Sequence, residues 1–493
     1  MTTKVDVVFI HPGDKKQIYQ GLANEFSATE PPIFAGLFAT YLQRKGYSAA
    51  IIDGPAHNLS VDEIAEQAVS DLSPKLIVIV VYGNQPSAST QNMTVSGKVA
   101  TAIKQHQPNM KIMMTGTHPA ALPRRTITEE DVDFVCDREG PVTIYKTLQA
   151  LDAKLDSFSD IPSLWWKKEG VVFSPTSSEG LIKSLDEEMP GVAWDLLPME
   201  NYRAHNWHCF DHIHDRTPYA AIHTSMGCPY KCSFCCINAP FGKNVYRMWS
   251  VDSVMKEIDF LVEHYGVKNI KFIDEMFVLN KAHVLGICDA LIQRNYEVNI
   301  WAYARIDTVK DEYLDKLKTA GFNWLALGIE SASDFVRDGS DKHMTNEDII
   351  NTVKRIQAAG IHVIGNYIFG LPDDSYSRMQ ETLDMALDLN CEFSNIYSAM
   401  AYPGSKLYTE TLQNNPNDLP TSWHQYSQHA FDSKPVSNAF CSSEEILAFR
   451  DKAWEACFTS PKYLDLVQRK FGTDVVKHIE RMTATPLPRK KSG

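Results

Sequence analysis

Apolar runs alternate with helical stretches twice along this chain, a rhythm that commits it to parallel sheets covered by crossover helices. The first series offers strands at 5–10, 49–53, 76–81, 111–115 and 133–136, with helices beginning near Pro31-Pro32, Ser60, Gln91 and Pro141. Turn residues punctuate the strand ends, as in His11-Pro12-Gly13 and Thr115-Gly116-Thr117-His118-Pro119. In an open parallel sheet, ligands settle at those carboxyl-end loops. The second series starts near Tyr219, with strands at 220–224, 269–274, 298–304, 324–330, 362–370 and 393–398 and helices such as 250–265 and 346–359. A barrel-like α/β unit gathers its active groups at the same ends.

The division that follows is an α/β domain over 1–151, a linker over 152–215, a second α/β domain of six βα units over 216–410 and a mainly helical extension over 411–493. The linker lacks periodicity apart from a hairpin around Trp165–Phe173, which is marginal alone and must pack on a neighbour. The extension follows an aromatic, histidine-bearing loop, Trp423–His429, and ends in a basic segment, Arg489-Lys490-Lys491, read as a solvated tail.

A net charge of −13 argues against nucleic acid as a partner and leaves a small or peptidic substrate. Met1-Thr2-Thr3-Lys4 runs directly into an amphipathic strand, and no apolar run approaches the ~18 residues of a membrane span. The expectation is a cytoplasmic protein.

Chemistry concentrates in Gly227-Cys228-Pro229-Tyr230-Lys231-Cys232-Ser233-Phe234-Cys235, where three residues and then two separate the cysteines. Three close thiolates can hold an iron–sulfur cluster and leave one iron open. A structural zinc site normally takes four protein ligands, often as two separated pairs, and no second pair with such spacing follows. Cys236 reads as a buried small residue. The other cysteines are scattered singly, which suits a reducing compartment.

The spacing, with an aromatic just before the last cysteine, resembles the cluster motif of the radical S-adenosylmethionine (SAM) superfamily. The first domain, ahead of such a barrel, resembles the cobalamin-binding domain of one large subfamily. The resemblance implies a flavodoxin- or Rossmann-like cobalamin-binding domain, then a partial (βα)6 barrel of TIM type whose cluster loop follows the first strand. It implies a 4Fe-4S cluster on Cys228, Cys232 and Cys235, with SAM chelated to the free iron.

Strand ends then acquire roles by that resemblance. Asp274 and Glu275 offer a carboxylate to the SAM ammonium, with either able to serve. Arg305 suits the SAM carboxylate, and Glu330-Ser331 the ribose hydroxyls. In Ile364-Gly365-Asn366-Tyr367-Ile368-Phe369-Gly370-Leu371-Pro372 the glycine and apolar residues flank adenine, with Gly365 and Gly370 open to a packing role instead, Phe234 lies near adenine, and Tyr402 finishes the pocket. The plain alternative for the acidic pair is a strand cap, and for Arg305 a salt bridge inside the barrel.

In the first domain the resemblance implies cobalamin contacts at Gly83, Asn84, Gln85 and Ser87, at Thr115, Gly116, Thr117 and His118, and at Glu139 and Gly140. The Asp-x-His-x-x-Gly signature of methionine-synthase-type sites is missing, so no axial histidine can be named, and the expectation is an axial position not filled by a histidine. His57 and His118 read as solvated loop residues. The alternative is a flavodoxin-like domain that has lost its cofactor.

The function implied is a cobalamin-dependent methyltransferase on a small molecule of secondary metabolism or the cell envelope, with a reducing partner such as flavodoxin or ferredoxin. Ring formation, rearrangement and aminocarboxypropyl transfer are rival chemistries, and a non-catalytic cobalamin or metal sensor is a rival of another class. In related enzymes the carboxyl-terminal extension closes the barrel mouth; an ordinary capping subdomain is the alternative.

Overall fold

The computed structural model describes residues 4–490 apart from 24 and 179. Met1, Thr2, Thr3 and Lys491, used in the readings of the two termini, lie outside those residues.

The first sheet contains β1 (Val7–His11), β2 (Ala49–Asp53), β3 (Leu76–Val81), β4 (Ile112–Gly116) and β5 (Phe134–Cys136). It continues through β6 (Leu164–Lys168) and β7 (Val171–Phe173), in the order β2-β1-β3-β4-β5-β6-β7. The first five strands are parallel, and their 2-1-3-4-5 order is that of flavodoxin-like folds. β3 is buried along its whole length because helices cover both faces, which is why it reads as the unbroken run Leu76–Val81. The hairpin β6–β7 joins antiparallel to β5, so this sheet runs on to Phe173, past the helix Pro141–Asp152.

The second sheet is built from β8 (Tyr219–Ile222), then β11 (Asn269–Phe272), β12 (Asn299–Arg305), β13 (Phe322–Glu330), β14 (His362–Phe369) and β15 (Phe393–Ser398), all parallel and in sequence order. Between β8 and β11 lies a short antiparallel ribbon, β9 (Ser225–Met226) with β10 (Arg247–Met248). Six strands in this order form an open partial barrel.

The stretch 152–215 does more than connect. Trp207, in the 3-10 turn Trp207–His212, packs against Trp301, Trp324 and Phe393. His208 exchanges bonds with Asn299, where β12 begins. This aromatic plug closes the amino-terminal end of the barrel and leaves the carboxyl-terminal end for the site.

The extension forms three helices, Ser443–Thr459, Pro461–Phe471 and Thr473–Ala484. The first lies along β15, where Arg450 donates to the Ile396 carbonyl at 2.9 Å. The helices therefore line the barrel edge, and the loop 423–429 is what reaches the mouth. Arg489 is not a solvated residue: it pairs with Asp451 at 2.8 Å and donates to the carbonyls of Ala430 and Gln428.

Candidate functional site

The cysteine loop leaves the barrel through the ribbon β9–β10, which pinches together the two ends of 227–246. Gly227 sits there at φ +84°, and a Cβ would stand 2.5 Å from the Val245 carbonyl oxygen, so glycine is required. Asn238 fastens the loop from inside, donating to the Cys228 carbonyl at 2.9 Å and accepting from its N–H. Cys228, Cys232 and Cys235 are the half-buried cysteines; the other seven are buried.

All three line one wall of a cavity of about 280 Å³ at the barrel mouth. No group of three metal-ligating side chains among the described residues converges as the ligands of a single ion would. A multi-iron cluster asks instead for thiols spread around one open volume, and this donor set fits it. Burial pushes the Cys228 thiol up to about 11, so iron must supply the charge that holds it as thiolate. Cys236 borders the same cavity but is only 3% exposed, packed beside Gly404.

Inward positions of successive strands supply the remaining walls. Tyr303 and Arg305 come from β12, Gly328 and Glu330 from β13, and Asn366 and Ile368 from β14, each pair two residues apart as the pleat requires. Glu275 lines the cavity and makes no hydrogen bond among the described residues, while burial pushes its carboxyl up to about 7 against the pull of Lys271. Such a carboxylate is suited to a ligand ammonium. Arg305 clasps Asp307 through Nε at 3.0 Å, lies 3.9 Å over the Tyr230 ring and points Nη1 at Cys232 Sγ from 3.8 Å.

Glu330 stands at φ +65°, beyond an irregularity in the β13–β14 register between Gly328 and Glu330. A bulged residue in the left-handed region costs of order 1–3 kcal/mol and is found where function re-aims a side chain. Its carboxylate is paired with the buried Lys342, whose Nζ also donates to the Gly328 carbonyl at 2.8 Å. Lys342 has no strand-end position to announce it; it arrives from the turn after Asp334–Gly339. Sequence reasoning missed it, along with Tyr303, Asn366 and Gln428.

Three of the expected SAM contacts are used elsewhere. Asp274 is buried and accepts from the Thr224 N–H at 2.6 Å and the Ser225 hydroxyl at 2.7 Å, fastening the end of β8. Ser331 is buried against Thr382 and does not line the cavity. Gly365 faces away from it, and a Cβ there would meet the Tyr367 hydroxyl at 2.7 Å. Phe234 and Tyr402 do line the cavity.

The first domain meets this mouth through the loop after β3. Gln85 donates to the Tyr303 hydroxyl at 2.6 Å, and Gln85 and Ser87 line both the cysteine cavity and an adjoining one of about 260 Å³. That middle space shares Asn84, Ala88 and Gln91 with a crevice of about 120 Å³ over the ends of β1 and β3, which Gly83 also lines. The shared walls carry side-chain amides and hydroxyls from Asn84, Gln85, Ser87, Gln91 and Gln428. They match the amide arms of a corrin, which need both donors and acceptors.

The other expected cobalamin contacts line none of these spaces. Thr115, Thr117 and His118 are buried; His118 bonds Thr90 and meets the Trp423 ring edge-on, so it is not a solvated loop residue. Gly116 is wedged against the Val81 backbone. Glu139 pairs with Arg247 at 2.6 Å and accepts from the Ile182 N–H, tying the ribbon below the cysteines to the first sheet. Gly140, beside Phe38 and Thr115, completes that joint. His57 is exposed.

A half-open barrel with three thiols at its mouth, beneath a flavodoxin-like sheet, defines a radical SAM enzyme joined to a corrin-binding domain. The model of the Radical SAM superfamily matches residues 222–386, and that of the B12 binding domain matches 19–146. The chain is 30% identical over 437 residues to an uncharacterized methyltransferase of Pyrococcus horikoshii, spanning 88% of this chain and 89% of that one. It is 25% identical over 413 residues to an anaerobic magnesium-protoporphyrin IX monomethyl ester cyclase of Rubrivivax gelatinosus, spanning 82% and 69%. The fold is shared with the radical SAM methyltransferase TsrM of Kitasatospora setae, at TM-score 0.69 and 14% identity over 94% of this chain and 90% of that one. The chain belongs to the radical SAM enzymes with a cobalamin-binding domain, whose cofactors are a 4Fe-4S cluster, SAM and cobalamin. No helix among the described residues is long and apolar enough to cross a membrane.

Proposed function

We propose that this protein is a cobalamin-dependent radical SAM methyltransferase acting on a small molecule. The observation that carries the reading is the shared wall at Gln85 and Ser87, through which the first domain's loop borders both the cysteine cavity and the middle space. Two cofactors and a substrate can meet there. When bound, the reduced cluster supplies the electron that cleaves SAM to an adenosyl radical, and the corrin carries the methyl group.

Within this reading Cys228, Cys232 and Cys235 hold the cluster, and Glu275 faces the methionyl ammonium. Arg305 orients the methionyl carboxylate, while Asp307 and Tyr230 fix its guanidinium plane. Glu330, steadied by Lys342, accepts from the ribose hydroxyls, and Phe234 with Ile368 flanks adenine. Asn84, Gln85, Ser87, Gln91 and Gln428 face the corrin amides. A cytoplasmic setting, a role in secondary metabolism and a flavodoxin- or ferredoxin-like electron donor belong to the same proposal.

Glu330→Ala and Arg305→Ala are each expected to weaken SAM binding while leaving cluster iron unchanged. A lost charged contact costs on the order of 1.5–3 kcal/mol, or roughly tenfold to 150-fold in affinity. Calorimetric titration of reconstituted protein with SAM measures it; unchanged affinity in both variants would remove these residues from the SAM site.

Product analysis separates the candidate reactions, since each breaks different bonds of SAM. Methylation through a corrin should release 5′-deoxyadenosine and S-adenosylhomocysteine together, in a substrate-dependent manner. Ring formation or rearrangement would give 5′-deoxyadenosine without substrate-dependent S-adenosylhomocysteine. Methylthioadenosine as the main product would point to aminocarboxypropyl transfer and overturn the proposal.

A further inference from the structure

His11 ends β1 on the wall of the crevice where the first sheet's winding reverses between β1 and β3, the point at which open α/β sheets take their ligands. Its Nδ1 lies 3.1 Å from Oδ1 of Asp53, at the end of β2. Asp53 is 1% exposed, and it also accepts from the Tyr202 hydroxyl at 2.8 Å and the Ala56 N–H at 3.2 Å.

That arrangement fixes the imidazole. A carboxylate already held by two donors on rigid elements takes a third from Nδ1–H, which leaves the Nε2 lone pair free. Nε2 makes no hydrogen bond among the described residues, although the ring is only 15% exposed. A neutral imidazole with Nδ1–H tied to a carboxylate is the form that presents Nε2 to a metal. Neither His57 nor His118 is so placed: one is exposed, and the other is bonded to Thr90 beneath Trp423.

We propose that His11, aimed by Asp53 and Tyr202, is the axial ligand this chain offers to the cobalt of bound cobalamin. The inference rests on the first domain's being a cobalamin site. The sequence carries no recognised motif for it because the orienting carboxylate comes from β2, forty-two residues away, rather than from the same loop.

The test uses full-length protein incubated with hydroxocobalamin and freed of excess. Retention in the visible spectrum establishes the underlying reading, and failure to retain the cofactor overturns both. Retained cofactor is then reduced to the Co(II) state and examined by electron paramagnetic resonance, in protein grown with natural-abundance or 15N-labelled histidine. The expected result is nitrogen splitting of the high-field cobalt lines that changes from triplets to doublets on labelling. In His11→Ala, the label-sensitive splitting should vanish. Triplets insensitive to the label would assign the axial position to the cofactor's own base, and unsplit lines would leave it without nitrogen; either result overturns the proposal. Labelled wild-type protein shows whether a histidine is the ligand, and His11→Gln, which keeps a side chain of similar bulk, stands beside His11→Ala to assign it should the smaller residue misfold.

Discussion

Replacing Cys228, Cys232 and Cys235 together by alanine is expected to abolish the cluster, taking iron after anaerobic reconstitution from about four per chain to background. The loop should survive the change. Its base is pinched by the β9–β10 pairs Met226–Arg247 and Ser225–Met248, and Asn238 grips the Cys228 backbone rather than its sulfur. The half-buried thiols add little to the core, so circular dichroism should match wild type. Cys236→Ala is the informative control, because Cys236 borders the same cavity but is buried, with its thiol raised to about 12. It should retain full iron and sulfide. A triple variant that kept them, or a Cys236→Ala protein that lost them, would show that the ligand set is wrong.

Strands were legible where the chain gave them one unambiguous environment. Leu76–Val81 begins and ends where its apolar run does, and the cysteine spacing needs no partner to be recognised. Side-chain destinations at strand ends were less legible, because successive residues face opposite ways and one step exchanges them. Gly365 and Asn366 are neighbours, yet only Asn366 reaches the cavity. Asp274 and Glu275 pose the same question, and the answer lies in Thr224 and Ser225, fifty residues earlier, which claim Asp274. Glu139 looked like a cofactor contact because its turn is the right kind; Arg247, 108 residues later, takes its charge. Long-range partners of this kind leave no periodicity, and Lys342 and Trp207 were missed for the same reason.

Glu30→Gln is expected to destabilise the protein by about 3–5 kcal/mol at pH 7, the cost of leaving a buried charge without its partner. Glu30 precedes the first domain's helix Ile33–Arg44 and reaches Lys271 on β11 at 2.8 Å, while the Tyr219 hydroxyl on β8 donates to it at 3.0 Å. Lys271 Nζ lies 4.9 Å over the Trp301 ring, inside the barrel. Its side chain is 1% exposed, so water from the adjoining cavity replaces the lost carboxylate only in small part. His205 stands 3.9 Å away, but burial lowers it to about 4, leaving it neutral at pH 7. Burial alone would raise the Glu30 carboxyl; Lys271 first, then His205 once acid has protonated it, with help from Tyr219, overcome this and hold it at about 2, below its ordinary 4.5. A carboxyl depressed by folding contributes stability that is complete above the unfolded value and lost as pH falls from there through the folded one. The difference between wild type and Glu30→Gln in urea denaturation should therefore be constant from pH 8 to about 5 and shrink below it. Adding Lys271→Met should recover part of the loss, since removing both charges also removes the desolvation cost of the pair. Equal stability of wild type and Glu30→Gln at pH 7 would mean that this pair does not hold the first domain to the barrel.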